Sequence, residues 1–309
     1  MEKARIGTVL ISVPTGGRTN DLARLLERLT AEYAAREEVQ LLVVDNNPDG
    51  SAAETFERIT GPFGQRRRYV HEPERGYASV RNAVLRNIDG ADAVAMIDDD
   101  EVPAPGWLDA LVEAQGRSGA DVIAGPVISE FPKGIPAYYE ESGVFAMDAP
   151  EYEEGHEMPW CATNNTLMLG RVAHLVPEGY DPKFNPMSGE DVHFFMKARL
   201  RGARIVWTKT ALVHEYLPAA RFSGRWLFYR AKRSGNSHAL IERELLASRR
   251  ANVTRFLKAG ALVSLGALGW LSGILSKNQA MKLRALYNAG RGLGMLRAFV
   301  TSAPWAPPS

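Results

Sequence analysis

The first two-thirds of the chain predicts an α/β fold: a mostly parallel sheet with helices on both faces. Three observations predict it. Apolar runs of about five residues, each bounded by turn-formers, read as buried strands. Segments with apolar residues at helical spacing lie between them, each strand and helix together taking roughly 25 to 30 residues, the rhythm of a doubly wound sheet. Polar residues gather where these runs end: Pro14 and Thr15 after the first, Asp45 after the second, Asp98 and Asp100 after the fourth. Parallel sheets bind ligands beyond those carboxyl ends.

In order, Thr8-Val9-Leu10-Ile11-Ser12-Val13 is the first strand, broken by Pro14 and the pair Gly16-Gly17. Leu22, Leu25, Leu26 and Leu29 then predict a helix, with Thr19 or Asn20 capping its start. Gln40-Leu41-Leu42-Val43-Val44 is the second strand and ends in the turn Asp45-Asn46-Asn47-Pro48-Asp49-Gly50. After a short helix come a third strand at Arg68-Tyr69-Val70, a helix over residues 79–86, and the fourth strand, Ala93-Val94-Ala95-Met96-Ile97. No Gly-x-Gly-x-x-Gly follows the first strand and no Gly-x-x-x-x-Gly-Lys occurs, which argues against a dinucleotide oxidoreductase and a P-loop nucleotidase.

The fourth strand runs directly into Asp98-Asp99-Asp100-Glu101. A buried strand ending in that much negative charge needs something positive nearby. On an extended backbone Asp98 and Asp100 share a side while Asp99 points away, so the outer pair suits one hard metal ion; a solvated acidic turn is the other reading. The chain has 309 residues, 45% hydrophobic and 24% charged, as ordinary folded proteins do. A net charge of +1 gives no bias toward nucleic acid. The single cysteine, Cys161, excludes an internal disulfide framework and fits a reducing compartment, and the first residues lack the long apolar region of a secretory signal. The expectation is a cytoplasmic protein.

Four segments in order carry a resemblance. They are Val43-Val44-Asp45-Asn46-Asn47-Pro48-Asp49; Gly76-Tyr77-Ala78-Ser79-Val80-Arg81-Asn82-Ala83; Ile97-Asp98-Asp99-Asp100-Glu101 with Pro105-Gly106-Trp107-Leu108; and Gly189-Glu190-Asp191 before an apolar helix and Gly202. Together they resemble the family 2 glycosyltransferases, which have the GT-A nucleotide-diphospho-sugar transferase fold. The resemblance spans about the first 220 residues. It implies that Asp45 hydrogen-bonds the base of a nucleotide sugar, with Pro14, Thr15 and Arg18 around base and ribose. The alternative for Asp45 is a turn aspartate bonding its own backbone. Arg81 and Asn82 are implied to face the ribose or diphosphate, although Arg81 also reads as a solvated helix residue. Asp98 and Asp100 match the Asp-x-Asp pair: Asp100 ligates Mn²⁺ or Mg²⁺, Asp98 binds ribose or the metal through water, and Asp99 belongs to the same nucleotide-sugar site. Such a cation neutralises the diphosphate as the glycosidic bond breaks.

Residues 130–157 are acidic and aromatic without periodicity, which suits a loop or insertion over the site. Trp160-Cys161-Ala162-Thr163-Asn164-Asn165 then precedes a strand over 166–169. The resemblance makes this segment the floor beneath the sugar, with Trp160 and Asn164 or Asn165 near sugar hydroxyls; Cys161 reads as a packed residue rather than a nucleophile, since the sequence offers it no histidine partner. It also makes Asp191 the catalytic base beside Glu190, in a single in-line displacement that inverts the anomeric carbon. From the residues alone, Ser188 to Asp191 reads equally as a capping box. After an edge-like strand over 204–207, His214 is either a further metal ligand or a structural histidine.

Beyond Pro218 the chain turns basic, and between 221 and 250 Trp226, Phe228 and Tyr229 are interleaved with arginines and lysines. An anionic membrane surface or a lipid diphosphate fits this better than nucleic acid, because an uncharged run over 259–276 follows, containing Gly269-x-x-x-Gly273. That run is at the lower limit for spanning a membrane; it also reads as a helical hairpin packed on the catalytic domain or in a homodimer. The expected organisation is a catalytic domain over 1–220, with a nucleotide-sugar half to 125 and an acceptor half from 126. A helical region over 221–303 and a disordered tail over 304–309 complete it. The whole reads as an inverting, metal-dependent glycosyltransferase at the cytoplasmic face of the membrane. It would take a UDP-, GDP- or dTDP-linked donor and a glycan or lipid-linked acceptor. A non-catalytic sugar-nucleotide-binding protein and a Mg²⁺-dependent phosphohydrolase are the competing readings.

Overall fold

Alternate residues of β1 (Val9–Thr15) belong to two different hydrophobic clusters, because the strand is covered on both faces. Val9, Ile11 and Val13 pack with α1 (Thr19–Tyr33), and Leu10 packs on the opposite side. The same alternation runs through β2 (Val39–Asp45), where Leu41 and Val43 go one way and Leu42 and Val44 the other. α2 (Ala53–Thr60), β3 (Arg67–His71), α3 (Tyr77–Arg86) and β4 (Ala93–Ile97) follow as the periodicity predicts. The computed structural model describes residues 6–147, 152–186 and 188–301.

The chain continues through β5 (Glu101–Pro103), α4 (Trp107–Ser118), β6 (Val122–Ala124), β7 (Val127–Glu130), α5 (Tyr138–Glu141), β8 (Asn165–Leu169), α6 (Arg171–Leu175), α7 (Glu190–Leu200), β9 (Ile205–Trp207) and β10 (Val213–Tyr216). The main sheet has the order β3-β2-β1-β4-β8-β6-β9, and a smaller sheet the order β5-β10-β7. β3, β2, β1 and β4 are mutually parallel, as are β6 and β9. β8 runs antiparallel to both of its neighbours, a reversal that strand-sized apolar runs do not encode. β9 lies at the sheet's edge, as expected. α1 begins one residue earlier than a Thr19 cap requires and two earlier than an Asn20 cap: its N-cap position is Arg18, which supplies no side-chain cap.

Contacts divide the chain into two units, one gathering residues of 1–128, 151–185 and 190–215, the other residues of 129–150, 186–189 and 216–309. The second unit contains α8 (Gly224–Leu245), α9 (Arg249–Leu275) and α10 (Gln279–Val300). Much of the segment expected as a loop over the site is core here: Tyr139, Val144 and Phe145 are buried with Leu217, Leu227 and Tyr287. Phe131, Phe145 and Phe222 are mutually in ring contact. The interleaved cations are partly internal too, since Arg221 and Arg230 lie 5.8 and 5.3 Å from the ring of Trp226. α9 and α10 form a helical hairpin: a side chain at Gly266 would strike Ala289, and one at Gly273 would strike Lys282. The glycine pattern therefore serves packing within one chain. The tail over 304–309 lies outside the described residues.

Candidate active site

Parallel pairing brings the ends of β1 and β2 level, with Pro14 opposite Val44 and Thr15 opposite Asp45. β4 lies on the other side of β1, so its acidic terminus reaches the same edge. Thr15 Oγ1 donates to Asp99 Oδ2 at 2.6 Å, and Arg18 Nε donates to Asp99 Oδ1 at 3.0 Å. Arg18 Nη1 also reaches Asp100 Oδ2, 2.7 Å away. Asp99, expected to face the nucleotide sugar, is fully buried and has both carboxylate oxygens engaged in this way. Arg18 is therefore held over the acidic turn from β1's side.

Three other residues expected to face ligand have internal partners. Asp45 is fully buried; it accepts from the N–H groups of Asn47 and Ala52 and from the Tyr69 hydroxyl, at 2.9, 2.7 and 2.8 Å. The two N–H bonds are those expected of a turn aspartate. Asn82 exchanges two 2.8 Å hydrogen bonds with the backbone of Tyr180. Asn165 accepts from Trp107 Nε1 and donates to the carbonyls of Pro126 and Ala211, which fixes it in the core. Of the two floor asparagines, Asn164 is the half-exposed one, and it donates to Glu101 Oε1 at 2.7 Å. Trp160 packs partly buried against the cluster that holds Leu10 and Phe194.

Arg81 connects the acidic strand end to α7. It is ion-paired with Glu190, and its Nη2 lies 3.9 Å from Asp98 Oδ1. Glu190 is buried; Asp191, half-buried beside it in the first turn of α7, accepts from the N–H of Val192 at 2.7 Å. Carboxylates are favoured at a helix N-terminus. Arg81 Nε and Glu190 Oε2 are buried with no partner among the described residues, an opening for a polar ligand atom. Cys161 is buried; its burial pushes the thiol's pKa up, as does the charge of Asp191, against a weak contact from Thr166.

The carboxyl groups here are electrostatically crowded. Burial pushes Asp98 up to about 7, Arg81 pulls it back, and Asp100 and Asp99 add to the rise. Burial likewise holds Glu101 well above the usual carboxylate range, helped by Asp98, Glu215 and Asp100 and opposed by the N–H of Asp98 that it accepts. His214 pairs with Val102 and Glu215 with Glu101 across β5 and β10, while Asp100 lies in the turn that precedes β5. Asp98 and Asp100 are hard oxygen donors of the kind that Mn²⁺ or Mg²⁺ takes, but among the described residues their ligand atoms and that of His214 do not gather into one metal-sized group. A cation there would answer the raised Asp98 and Glu101. The two aspartates fit such an ion by the chemistry of their oxygens, with one oxygen of Asp100 already taken by Arg18.

Residues 11–167 match the model of Glycosyl transferase family 2. The chain belongs to glycosyl transferase family 2. The transferase is 30% identical over 283 residues to the succinoglycan biosynthesis protein ExoM of Rhizobium meliloti, covering 90% of each chain. It is 24% identical over 216 residues to a glucosyl-dolichyl phosphate glucuronosyltransferase of Haloferax volcanii, covering 65% of this chain and 66% of that one. Among solved structures, the mannosyltransferase PcManGT of Pyrobaculum calidifontis, in complex with GDP-Man and Mn²⁺, has a TM-score of 0.62 at 17% identity, over 95% of this chain and 88% of that one. The transferase has the GT-A fold and transfers sugar from a nucleotide-sugar donor, as its family does.

Sequence reasoning did not single out three residues of this transferase's site. Glu101 was visible as the fourth acid of the run, but its bonds to Asp98 N–H and Asn164 were not. Tyr69 holds Asp45 from β3. Asn185 Oδ1 accepts from the N–H groups of Ala78 and Ser79, capping α3 from a distant segment. Gly76 precedes that helix with φ 148°, and any side chain there would overlap Asn185. No local sequence pattern signals a cap supplied from a hundred residues away.

Proposed function

We propose that this transferase extends a lipid-linked or membrane-proximal polysaccharide on the cytoplasmic side of the membrane, with Asp191 as catalytic base. One observation carries the reading: Arg81 joins the Asp98 end of β4 to the Glu190-Asp191 start of α7, so one guanidinium links the donor-side and acceptor-side carboxylates. Asp98 and Asp100 would hold Mn²⁺ or Mg²⁺. That ion, when bound, neutralises the diphosphate leaving group.

Asp191 takes the proton from an acceptor hydroxyl, whose oxygen attacks the anomeric carbon opposite the leaving diphosphate, and inversion follows. Glu190 stays paired with Arg81 and is thereby kept from competing for that proton. Arg18 and Arg81 supply positive charge on the diphosphate side, and Asn164, held by Glu101, lines the sugar floor. The names of the two relatives, one in succinoglycan biosynthesis and one acting on a dolichyl phosphate, support a polymer or lipid-linked acceptor.

The test incubates the protein with UDP-, GDP- and dTDP-sugars and Mn²⁺ and follows release of nucleoside diphosphate. One donor class should turn over, and Asp191→Asn should lower kcat by about 10²–10⁴-fold with donor affinity retained. Turnover unaffected by Asp191→Asn would remove Asp191 from the mechanism.

A further inference from the structure

α9 has one face that packs and one that does not. Arg255, Ala259, Gly266 and Gly273 are its buried residues. Val253, Leu257, Leu268, Leu271 and Leu275 are all exposed, Leu275 by 85%. At 100° per residue these five fall within about 60° of one another, opposite the buried four. The result is an apolar ridge over roughly 33 Å of a 27-residue helix, interrupted at its middle by Ser264. Exposed apolar surface of that extent marks an interaction site.

At the N-terminal end of this ridge lies a cavity of about 470 Å³ between α8, α9 and α10. Arg250, Arg255, Lys258 and Arg291 line it, with His238, against the single carboxylate of Glu242. Four permanent cations and one anion leave the lining at +3. Arg255 is the buried member and is oriented by Glu242, 2.7 Å from its Nε. Ser248, the N-cap of α9, is also at this wall, so the positive end of the helix dipole adds to the field. The cavity holds the charge for a phosphate, and the ridge beginning beside it holds the surface for acyl chains.

We propose that α9 lies in the membrane interface and that this cavity binds the phosphate of an anionic lipid headgroup. This rests on the membrane-proximal acceptor reading above, and the ligand is a bilayer lipid. An interfacial placement fits the packing better than a transmembrane one. α9 is long and apolar enough to cross a bilayer, but its inner face is packed on α10, which carries Lys282, Arg284, Arg291 and Arg297. A spanning α9 would take those cations into hydrocarbon, whereas an interfacial one leaves them on the protein side.

The experiment floats the full-length protein with vesicles of phosphatidylcholine alone and of phosphatidylcholine with phosphatidylglycerol. Binding should be much tighter to the anionic vesicles. The exposed pair Arg250→Gln/Lys258→Gln should weaken it roughly thirtyfold, as expected for two cations near a charged surface. Leu268→Gln/Leu271→Gln should abolish flotation while leaving intact the rise in melting temperature that inorganic pyrophosphate gives the wild type. Anionic-vesicle binding that survives Arg250→Gln/Lys258→Gln would overturn the cavity's role. A pyrophosphate shift that this pair abolishes, in a wild type that binds no vesicle, would identify a soluble phosphate ligand and overturn the lipid. Donor turnover, assayed in parallel without vesicles, separates failure of the membrane inference from failure of the transferase reading.

Discussion

Arg81 bonds Glu190 on α7 while its Nη2 stands 3.9 Å from Asp98 on the β4 side. Both Arg81 and Glu190 are buried, so each charge depends on the other. Removing one partner of a buried pair strands the remaining charge, at about 3–5 kcal/mol. Arg81→Met should therefore lower the unfolding free energy by that amount in urea titrations. Arg81→Met combined with Glu190→Met should recover most of it, because no unpaired charge is left. Equal destabilisation in the single and double variants would show that the pair matters through packing alone.

Arg18 reaches both Asp99 and Asp100. Its guanidinium competes with any divalent cation for Asp100, while Asp99 and Thr15 keep it in place. Two opposite charges at contact are worth about 1 kcal/mol even in water, so Arg18→Gln should raise Mn²⁺ affinity in the absence of donor at least fivefold by titration calorimetry. Asp100→Asn should remove Mn²⁺ binding in the same measurement.

The strands, the helices between them and the acidic terminus of β4 were legible because each depends on residues adjacent in sequence. The partners of those residues were not. Asp45 is held by Tyr69 from the next strand, α3 is capped by Asn185, and Asp99 is held by Thr15 and Arg18 from β1. These contacts depend on register and tertiary approach, which a one-dimensional pattern does not carry. The aromatic stretch around Tyr139 and Phe145 lacked periodicity because its residues fill a cluster beside Phe222 from short, irregular segments.

Asp98 and Glu101 give the metal-free protein a characteristic pH dependence. Burial raises Asp98 from an ordinary value near 4 to about 7, and it raises Glu101 in the same direction. Between those values the native state binds more protons than the unfolded chain, so stability falls as pH rises through this window. Glu178, lowered to about 2 by its bond to Arg201, acts in the opposite sense but below about pH 4. Thermal melts should therefore show a higher midpoint near about pH 5 than near about pH 7, and Asp98→Asn should flatten the slope. Mn²⁺ should stabilise more at the higher pH, with protons released on binding.

Cys161 should be inert in the native protein. Its thiol is buried and pushed above the ordinary cysteine range, so little thiolate forms near neutral pH. A thiol-reactive probe at about pH 8 should label it at the rate of unfolding rather than at a thiol's intrinsic rate, and labelling should become immediate in denaturant. Fast labelling of the folded protein would mean that the segment from Trp160 to Asn165 opens locally.

The hairpin of α9 and α10 makes a prediction that distinguishes glycines which look alike in sequence. A Cβ at Gly266 would lie 2.7 Å from Ala289 Cβ and 2.8 Å from the Ala289 backbone nitrogen, so the helices must separate to accept one. At Gly269 the nearest atom is Ala285 Cβ at 3.3 Å, a tight contact that a shift of a few tenths of an ångström relieves. Helix propensity favours alanine over glycine at both positions by about 1 kcal/mol. Overpacking costs about 1–3 kcal/mol, and it applies at Gly266. Gly269→Ala should therefore be neutral or stabilising in urea titrations. Gly266→Val should destabilise by a few kcal/mol and should loosen the α9–α10 contact, read as faster amide exchange across both helices. Equal tolerance at the two sites would mean that α9 and α10 do not pack at this distance in solution.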